Sequence, residues 1–394
     1  MHLILFDDHA WDNLLPLTFT RPVAGLRVGI FTIAEKWARH LDFHEDISYM
    51  TREYLAARFP ANPGDDNLLV NGSLLPNREI AGILSGMQAG KSLRKGELLL
   101  GARVTGDEVD GFDPAVWLDR AKEYPGQVDL VDYPWRIFLL NGQEIRADLE
   151  LAYMHDSPVP PADIQVFGEH RLFIEHGFKG TRFTVNTTNG PVFLGRDSEI
   201  MEGCLIRGPF ALCEGAVVKM GAKIYGPTTI GPGSKVGGEI NNAVFQENSN
   251  KGHDGFLGNA VIGEWCNLGA DTNNSNLKNN YTEVKVWNYP RNRFMKTGLQ
   301  FCGLIMGDHS RCGIKTMFNT GTVVGVSANI FGAGFPRNFI PSFSWGGAAG
   351  MLTYNIDKAL ETASLVMKRR EVELTPEDEK ILKWVFDYSA RYRK

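Results

Sequence analysis

A histidine set among glycines is the residue of this chain best suited to acid–base work. It lies in Asn250-Lys251-Gly252-His253-Asp254-Gly255-Phe256, and Asn267-Leu268-Gly269-Ala270-Asp271-Thr272-Asn273-Asn274-Ser275-Asn276 comes soon after. Imidazole exchanges protons near neutral pH, so His253 can take a proton from an amine and free the lone pair that attacks an acyl carbon. The oxyanion then formed needs donors, which backbone N–H groups and Asn amides such as Asn267 and Asn276 supply. Phosphates need cations or bare backbone N–H groups. Lys251 is two residues from His253, and Arg291, Arg293 and Lys296 gather around Pro290 in a polar insertion. A loop that long could cover a site or reach phosphates. Plainer readings stand beside these. The cations are ordinary solvated charges, and the asparagines are corner residues that tolerate left-handed backbone.

The elements that must position these residues are set by a repeat of period six. Leu194, Ile200, Ile206, Leu212, Val218, Ile224, Ile230 and Val236 stand at equal spacing. Small residues (Ser198, Cys204, Ala216, Ala222, Thr228, Ser234) precede these slots by two, and Gly203, Pro209, Gly215, Gly221, Pro227 and Gly233 come three after them. One short strand and one tight corner per hexad build a triangular solenoid with the branched residue pointing inward. The phase slips by two near Asn241-Asn242. It resumes at Val244, Phe256, Ile262 and Leu268, with Asn250 in one apolar slot. A second slip spans about Asn273 to Gly303, before Met306, Cys312, Phe318, Val324 and Ile330. The eighteen slots predict about six coils.

Composition sets the outer bounds. Residues 190 to 350 hold 27 of the 43 glycines, which predicts a boundary near residue 190 and a second after Gly347. The expected domains are an α/β domain with linker over 1–189, a β-helix over 190–347 and a helical tail over 348–394. In the tail, Thr375-Pro376 separates two amphipathic helices expected to pack on the solenoid. A net charge of −5 speaks against nucleic acid as a partner. No apolar run approaches a membrane span, no export signal opens the chain, and five scattered cysteines read as reduced thiols, so a cytoplasmic location is expected.

The hexads resemble the left-handed parallel β-helix of hexapeptide acyltransferases, a resemblance that implies the handedness and a homotrimer with acyl-CoA between subunits. The stretch from Lys251-Gly252-His253 to Asn276 resembles the acetyltransferase half of the bifunctional UDP-N-acetylglucosamine enzymes (GlmU type). The resemblance implies His253 as base and Asn267 and Asn276 as sugar-contacting amides. It also implies Ala270 at acetyl-CoA; Lys251 is near enough in sequence to meet a sugar phosphate, and the long polar loop could carry Arg291, Arg293 and Lys296 to the coenzyme phosphates. The family's tyrosine after the histidine is Phe256 here, its lysine in the preceding coil is Asn241, and Asp271 replaces a glycine.

Toward the N-terminus, Leu15-Pro16-Leu17-Thr18-Phe19-Thr20-Arg21-Pro22 resembles a segment of sugar-phosphate nucleotidyltransferases. The family's Gly-rich loop is replaced by Phe6-Asp7-Asp8-His9-Ala10-Trp11-Asp12-Asn13, and Ser73 stands in a Mg²⁺-binding Asp slot after Asn71-Gly72. The resemblance implies Asp7, Asp8, Arg21, Arg27, Asn71 and Gly72 as nucleotide-site candidates, with UTP as a candidate substrate and Mg²⁺ as a candidate cofactor; helix capping and surface ion pairing are the plainer reading of Asp7, Asp8, Arg21 and Arg27, and the favoured one. No other metal site is expected. The expected activity is acetyl transfer from acetyl-CoA to an amino-sugar 1-phosphate, glucosamine-1-phosphate first, coupled to nucleotidyl transfer. A non-catalytic sugar-nucleotide sensor or scaffold, or an acyltransferase for another amino sugar, are the alternatives.

Overall fold

A computed structural model describes residues 1–45, 47–152 and 160–393. The chain divides into two compact units: Met1–Leu14, Thr20–Leu26 and Phe31–Tyr133 form one, and Leu15–Phe19, Arg27–Ile30 and Pro134–Lys394 form the other.

The first unit is α/β. Its six-stranded sheet has His2–Phe6 between Ser48–Met50 and Asp66–Asn71, all parallel, and continues with antiparallel Leu98–Thr105. Runs such as Leu3-Ile4-Leu5 and Leu68-Leu69-Val70 are apolar throughout because helices and loops cover both faces of these central strands. Helix Ile33–His40 starts at a capping box in which Thr32 and Glu35 satisfy each other's backbone N–H. Asn77 caps helix Arg78–Ser85.

The second unit is a parallel β-helix succeeded by two helices. Each coil contributes a strand to each of three faces. Face one runs through Thr184–Asn186, Leu205–Arg207 and Lys223–Tyr225 to the first halves of Glu239–Glu247 and Phe256–Glu264. Face two runs through Val192–Leu194, Phe210–Leu212 and Thr228–Ile230 to the second halves of the same long strands. Face three runs through Glu199–Ile200, Val217–Val218, Lys235–Val236, Asn250–Lys251, Asn267–Leu268 and Arg311–Cys312. The eight regular hexad residues all point into one buried core, and the small residues two positions earlier are fully buried beside them. Helices Ile356–Lys368 and Pro376–Ser389 make the tail. Thr375 caps the second, and the tail's Arg393 donates to the Ser342 carbonyl of the coil at 3.1 Å.

Four sequence expectations change. Coil strands begin at Gln165–Phe167, ahead of the boundary expected at residue 190, and this first coil already turns through Gly168 and Gly177 at positive φ. They also continue past Ile330 to Phe339–Ile340, so the solenoid is longer than eighteen hexads. After the first slip the inward residues are Phe245, Lys251 and Leu257, each one position beyond Val244, Asn250 and Phe256. The coil there is three residues shorter than its predecessor: Ile230 pairs with Phe245 where Leu212 pairs with Ile230. The polar insertion is no open loop. Asn273–Asn274 is a face-one strand, and the segment beyond it folds as the antiparallel hairpin Lys285–Asn288 with Arg293–Lys296.

Candidate active site

The corner between faces three and one carries His253. It comes after strand Asn250–Lys251, leads into Phe256–Glu264, and its side chain is exposed. The turn is stacked between its neighbours in adjacent coils. Gly237 N–H donates to the Lys251 carbonyl at 2.8 Å, and the Glu239 N–H to that of Gly255 at 3.2 Å. On the other side the Asp271 N–H donates to the Asp254 carbonyl at 3.0 Å. Gly238 has φ near +75°, and a Cβ there would meet the His253 carbonyl oxygen at 2.9 Å, so the close stacking needs glycine.

Lys251 is what the sequence misplaces. It fills the inward slot above Val236 and is 1% exposed. Its Nζ donates to the Gly237 carbonyl at 3.1 Å and to the His253 carbonyl at 2.8 Å. Burial pushes its pKa down to about 8, against the pull of Asp254, Cys312 and Asp271. The expectation that Lys251 meets a sugar phosphate therefore fails, because an ammonium sealed in the solenoid offers no charge to solvent. It ties the histidine turn to the preceding coil instead. A neutral amine still has two N–H donors for these two carbonyls, so the tie holds in either protonation state.

Asn267, Ala270 and Phe256 surround the same corner. Asn267 faces outward on face three, where Asn250, which sequence reasoning passed over, donates to its Oδ1 at 2.8 Å. At the next corner the N–H groups of Gly269, Asp271 and Thr272 go to Cys312, Asp254 and Gly269 carbonyls. Ala270 N–H has no acceptor among the described residues, which leaves a backbone donor beside the His253 turn. Phe256 starts the face-one strand with its ring across Gly258, where a Cβ would meet Cζ at 2.5 Å. Asn241 lies outward in the preceding coil, in register with Tyr225 and Gly258.

The remaining candidates lie elsewhere. Asn276 belongs to the corner between faces one and two, and its Nδ2 donates to Asn259 Oδ1 at 2.8 Å. Asn242 and Asn259 stack at this corner with φ of 51° and 47°. The corner reading of Asn276 is the one its contacts express. Arg291, Arg293 and Lys296 are exposed on the hairpin that leaves this same far edge of face one. Lys296 is 3.4 Å from Glu283.

In the first unit, Asp7, Asp8, Asn71 and Gly72 meet at the C-terminal ends of the parallel strands His2–Phe6 and Asp66–Asn71, the edge where open α/β sheets bind ligands. The Asp7 carboxylate accepts from Val23 N–H at 2.9 Å and Thr51 Oγ1 at 2.5 Å, and burial pushes its pKa up to about 7. Asp8 accepts from Ala10 N–H at 2.8 Å and from Asn71 Nδ2 at 2.9 Å. Asn71 Oδ1 accepts from both Ser73 N–H and Ser73 Oγ. A Mg²⁺ ion wants oxygens free to enter an octahedral shell. These are already committed to the chain's own donors, and Asp7 resists ionisation, so the donor set does not fit the ion. Among the described residues no group of three or more His, Cys, Asp or Glu could hold a metal. Arg21 is buried against Gly25. Arg27 lies in the second unit, contrary to its expected place in the nucleotide site. Its guanidinium donates to the Gln246 and Ile30 carbonyls, and Gln246 Oε1 accepts its backbone N–H at 2.7 Å. All five cysteines are buried, and none forms a disulfide among the described residues. Among the described residues no helix is long and apolar enough to cross a membrane.

Residues 3–155 match the family described as sugar nucleotidyl transferase. The bifunctional protein GlmU of Methanocaldococcus jannaschii is 30% identical over 134 residues, 34% of this chain and 27% of that protein. The bifunctional sugar-1-phosphate nucleotidylyltransferase/acetyltransferase of Sulfurisphaera tokodaii is 30% identical over 144 residues, 36% of this chain and 35% of that protein. Among solved structures, the polySia specific acetyltransferase NeuO aligns over 53% of this chain and 100% of its own, at 12% identity and a TM-score of 0.29. LpxA, a UDP-N-acetylglucosamine acyltransferase from Bacteroides fragilis, aligns over 57% and 96%, at 15% identity and a TM-score of 0.22. The chain thus spans about a quarter to a third of the two curated relatives, and what it resembles is a divergent GlmU-type protein whose front part matches the sugar nucleotidyl transferase pattern.

Proposed function

We propose that the chain is a transferase whose β-helix moves an acetyl group from acetyl-CoA to the amine of an amino-sugar 1-phosphate, glucosamine-1-phosphate first. The observation that carries this is the His253 corner: an exposed imidazole on a turn fixed through its own carbonyl, beside a backbone N–H without an acceptor. His253 takes the ammonium proton, and the amine attacks the thioester carbon while Ala270 N–H donates to the oxyanion. On collapse the C–S bond breaks, the imidazolium gives its proton to the leaving sulfur, the nitrogen releases its extra proton to solvent, and coenzyme A leaves as the thiol. Lys251 is a positioning residue that holds the turn. Asn267, Asn250 and Phe256 line the approach, and Asn241 lies one coil back. A homotrimer would bring the hairpin cations Arg291, Arg293 and Lys296 of a neighbouring copy into play. The first unit is proposed to bind a sugar nucleotide at Asp7, Asp8, Asn71 and Gly72, and no nucleotidyl step is derived for it because its oxygens do not fit Mg²⁺.

The test is thiol release from acetyl-CoA with glucosamine-1-phosphate, with and without UTP and Mg²⁺, products read by mass. N-acetylated sugar phosphate with no nucleotide sugar is the expected result. No thiol release with any amino-sugar phosphate would remove the reading and leave the sensor alternative.

A further inference from the structure

Face three carries a second, unassigned collection of charge. Lys235 points outward on strand Lys235–Val236, in register with Val217 on one side and Asn250 on the other. Lys219 comes just after the neighbouring strand, and its stem runs along the glycine column under the histidine turn. A Cβ at Gly237 would meet Lys219 Cβ at 3.2 Å, and one at Gly252 would meet its Cγ at 4.0 Å. Arg369 and Arg370 come from the end of helix Ile356–Lys368. The Arg370 guanidinium donates to the Gly233 carbonyl, two residues before Lys235.

Four cations gathered this way repel one another. Burial first, then the charges of Arg370, Lys219 and Arg369, hold Lys235 below the ordinary lysine range, with Glu199 opposing. No carboxylate forms a salt bridge with any of the four among the described residues. Cations at a helix C-terminus are favoured by the helix dipole, which accounts for Arg369 and Arg370. It does not account for Lys219 and Lys235, which the solenoid itself turns to the same place. Unneutralised cations beside a strip of bare glycine backbone are what a phosphate needs: charge to pair with and no side chain in the way.

We infer that Lys219, Lys235, Arg369 and Arg370 form a binding site for a phosphate or diphosphate group of a ligand whose other end reaches the His253 corner. The site itself stands on the geometry, and its link to His253 rests on the acetyl-transfer reading. The phosphate could be that of the acceptor sugar or the diphosphate of the coenzyme.

Calorimetric titration of the full chain with inorganic pyrophosphate, coenzyme A and glucosamine-1-phosphate tests this, comparing wild type with Lys219→Gln/Lys235→Gln and with Arg369→Gln. Circular dichroism and melting establish that each variant is folded. Pyrophosphate binding should weaken about tenfold or more in the double variant, less in Arg369→Gln, and fall with added salt. The organic ligand whose Kd moves in parallel is the one that uses the site. Unchanged Kd values in folded variants, or no binding of any of the three to wild type, overturn the inference. Thiol release that survives with unchanged Kd values overturns the site and spares the acetyl-transfer reading. Pyrophosphate binding that depends on these lysines without any thiol release overturns that reading and spares the site.

Discussion

His253 and the Asp7-Asp8 pair are titratable groups of the two candidate sites, and they are held in opposite ways. His253 is anchored only through its backbone, and its imidazole stays exposed. Asp7 and Asp8 are anchored through the carboxylates themselves, by Val23, Thr51, Ala10 and Asn71. A group held by its backbone keeps its reacting atoms available to a ligand. A group held by its reacting atoms has them engaged already by the chain's own donors. On the proposed reading the difference is one of availability: the solenoid corner leaves an imidazole open to a ligand, whereas the carboxylates at the strand ends of the first unit are taken up by internal hydrogen bonds.

The comparison breaks most easily at His253. His253→Ala should lower kcat for thiol release by about 10²–10⁴-fold, the range that a general base contributes. Removing an exposed side chain should leave the melting temperature nearly unchanged. Retained turnover would move the base elsewhere and end the contrast. Lys251→Met comes next. Methionine fills the slot with an apolar side chain of similar length, so stability should hold or rise, as when buried charges are replaced by well-packed apolar groups. The His253 turn loses its tie, and kcat should fall by up to about 100-fold with KM little changed, since displacement of about 1 Å costs that much. A kcat within twofold of wild type in stable protein would show that stacking alone positions the turn.

How far these assignments could be read from sequence depends on what each residue does to the pattern. The solenoid is legible because Leu194 through Val236 repeat without a break and every one is buried. His253 is legible because the repeat breaks around it. Lys251 is not, since a periodicity count treats a polar residue as surface, and only the strand register shows that it takes the place of Val236. The hairpin Lys285–Asn288 with Arg293–Lys296 escapes for a related reason: its strands pair with each other and add nothing to the six-residue period. The Asn276 ladder did leave a trace. Asn242, Asn259 and Asn276 recur at the same spacing as the register between Glu239–Glu247 and Phe256–Glu264, which marks a shared corner rather than a shared ligand. The cations Lys219, Lys235, Arg369 and Arg370 are scattered in sequence and meet only through folding.

A smaller effect sharpens the contrast from the side of the first unit. Asp7 has a folded pKa of about 7, well above that of an unfolded aspartate. Between those values the folded chain holds a proton that the unfolded chain has released. Its contribution to stability is therefore full below about pH 4 and lost as pH rises to about 7, with a slope no steeper than ~1.4 kcal/mol per pH unit. Asp7→Asn keeps one acceptor, its Oδ1 for Val23 N–H, and its Nδ2 can donate to Thr51 Oγ1 in place of the second, but it cannot ionise. Chemical denaturation from pH 4 to 8 should show wild type losing stability relative to the variant. Parallel curves, together with loss of Mg²⁺-dependent UTP binding in the variant, would reverse the comparison and return Asp7 to a metal role.

The smallest effect decides what an asparagine at a corner is for. Asn276→Ala removes one hydrogen bond to Asn259 and should cost about 1 kcal/mol, read as a lower denaturation midpoint. If Asn276 serves only the ladder, kcat and KM for the sugar phosphate stay within about twofold, the scatter expected of a change that touches no ligand. Asn267→Ala is the control, because that residue faces outward beside the His253 turn and its loss should raise KM severalfold with little effect on stability. A KM increase confined to Asn276→Ala would place the sugar on the far edge of face one, and His253 would then need a neighbouring subunit to bring the amine to it.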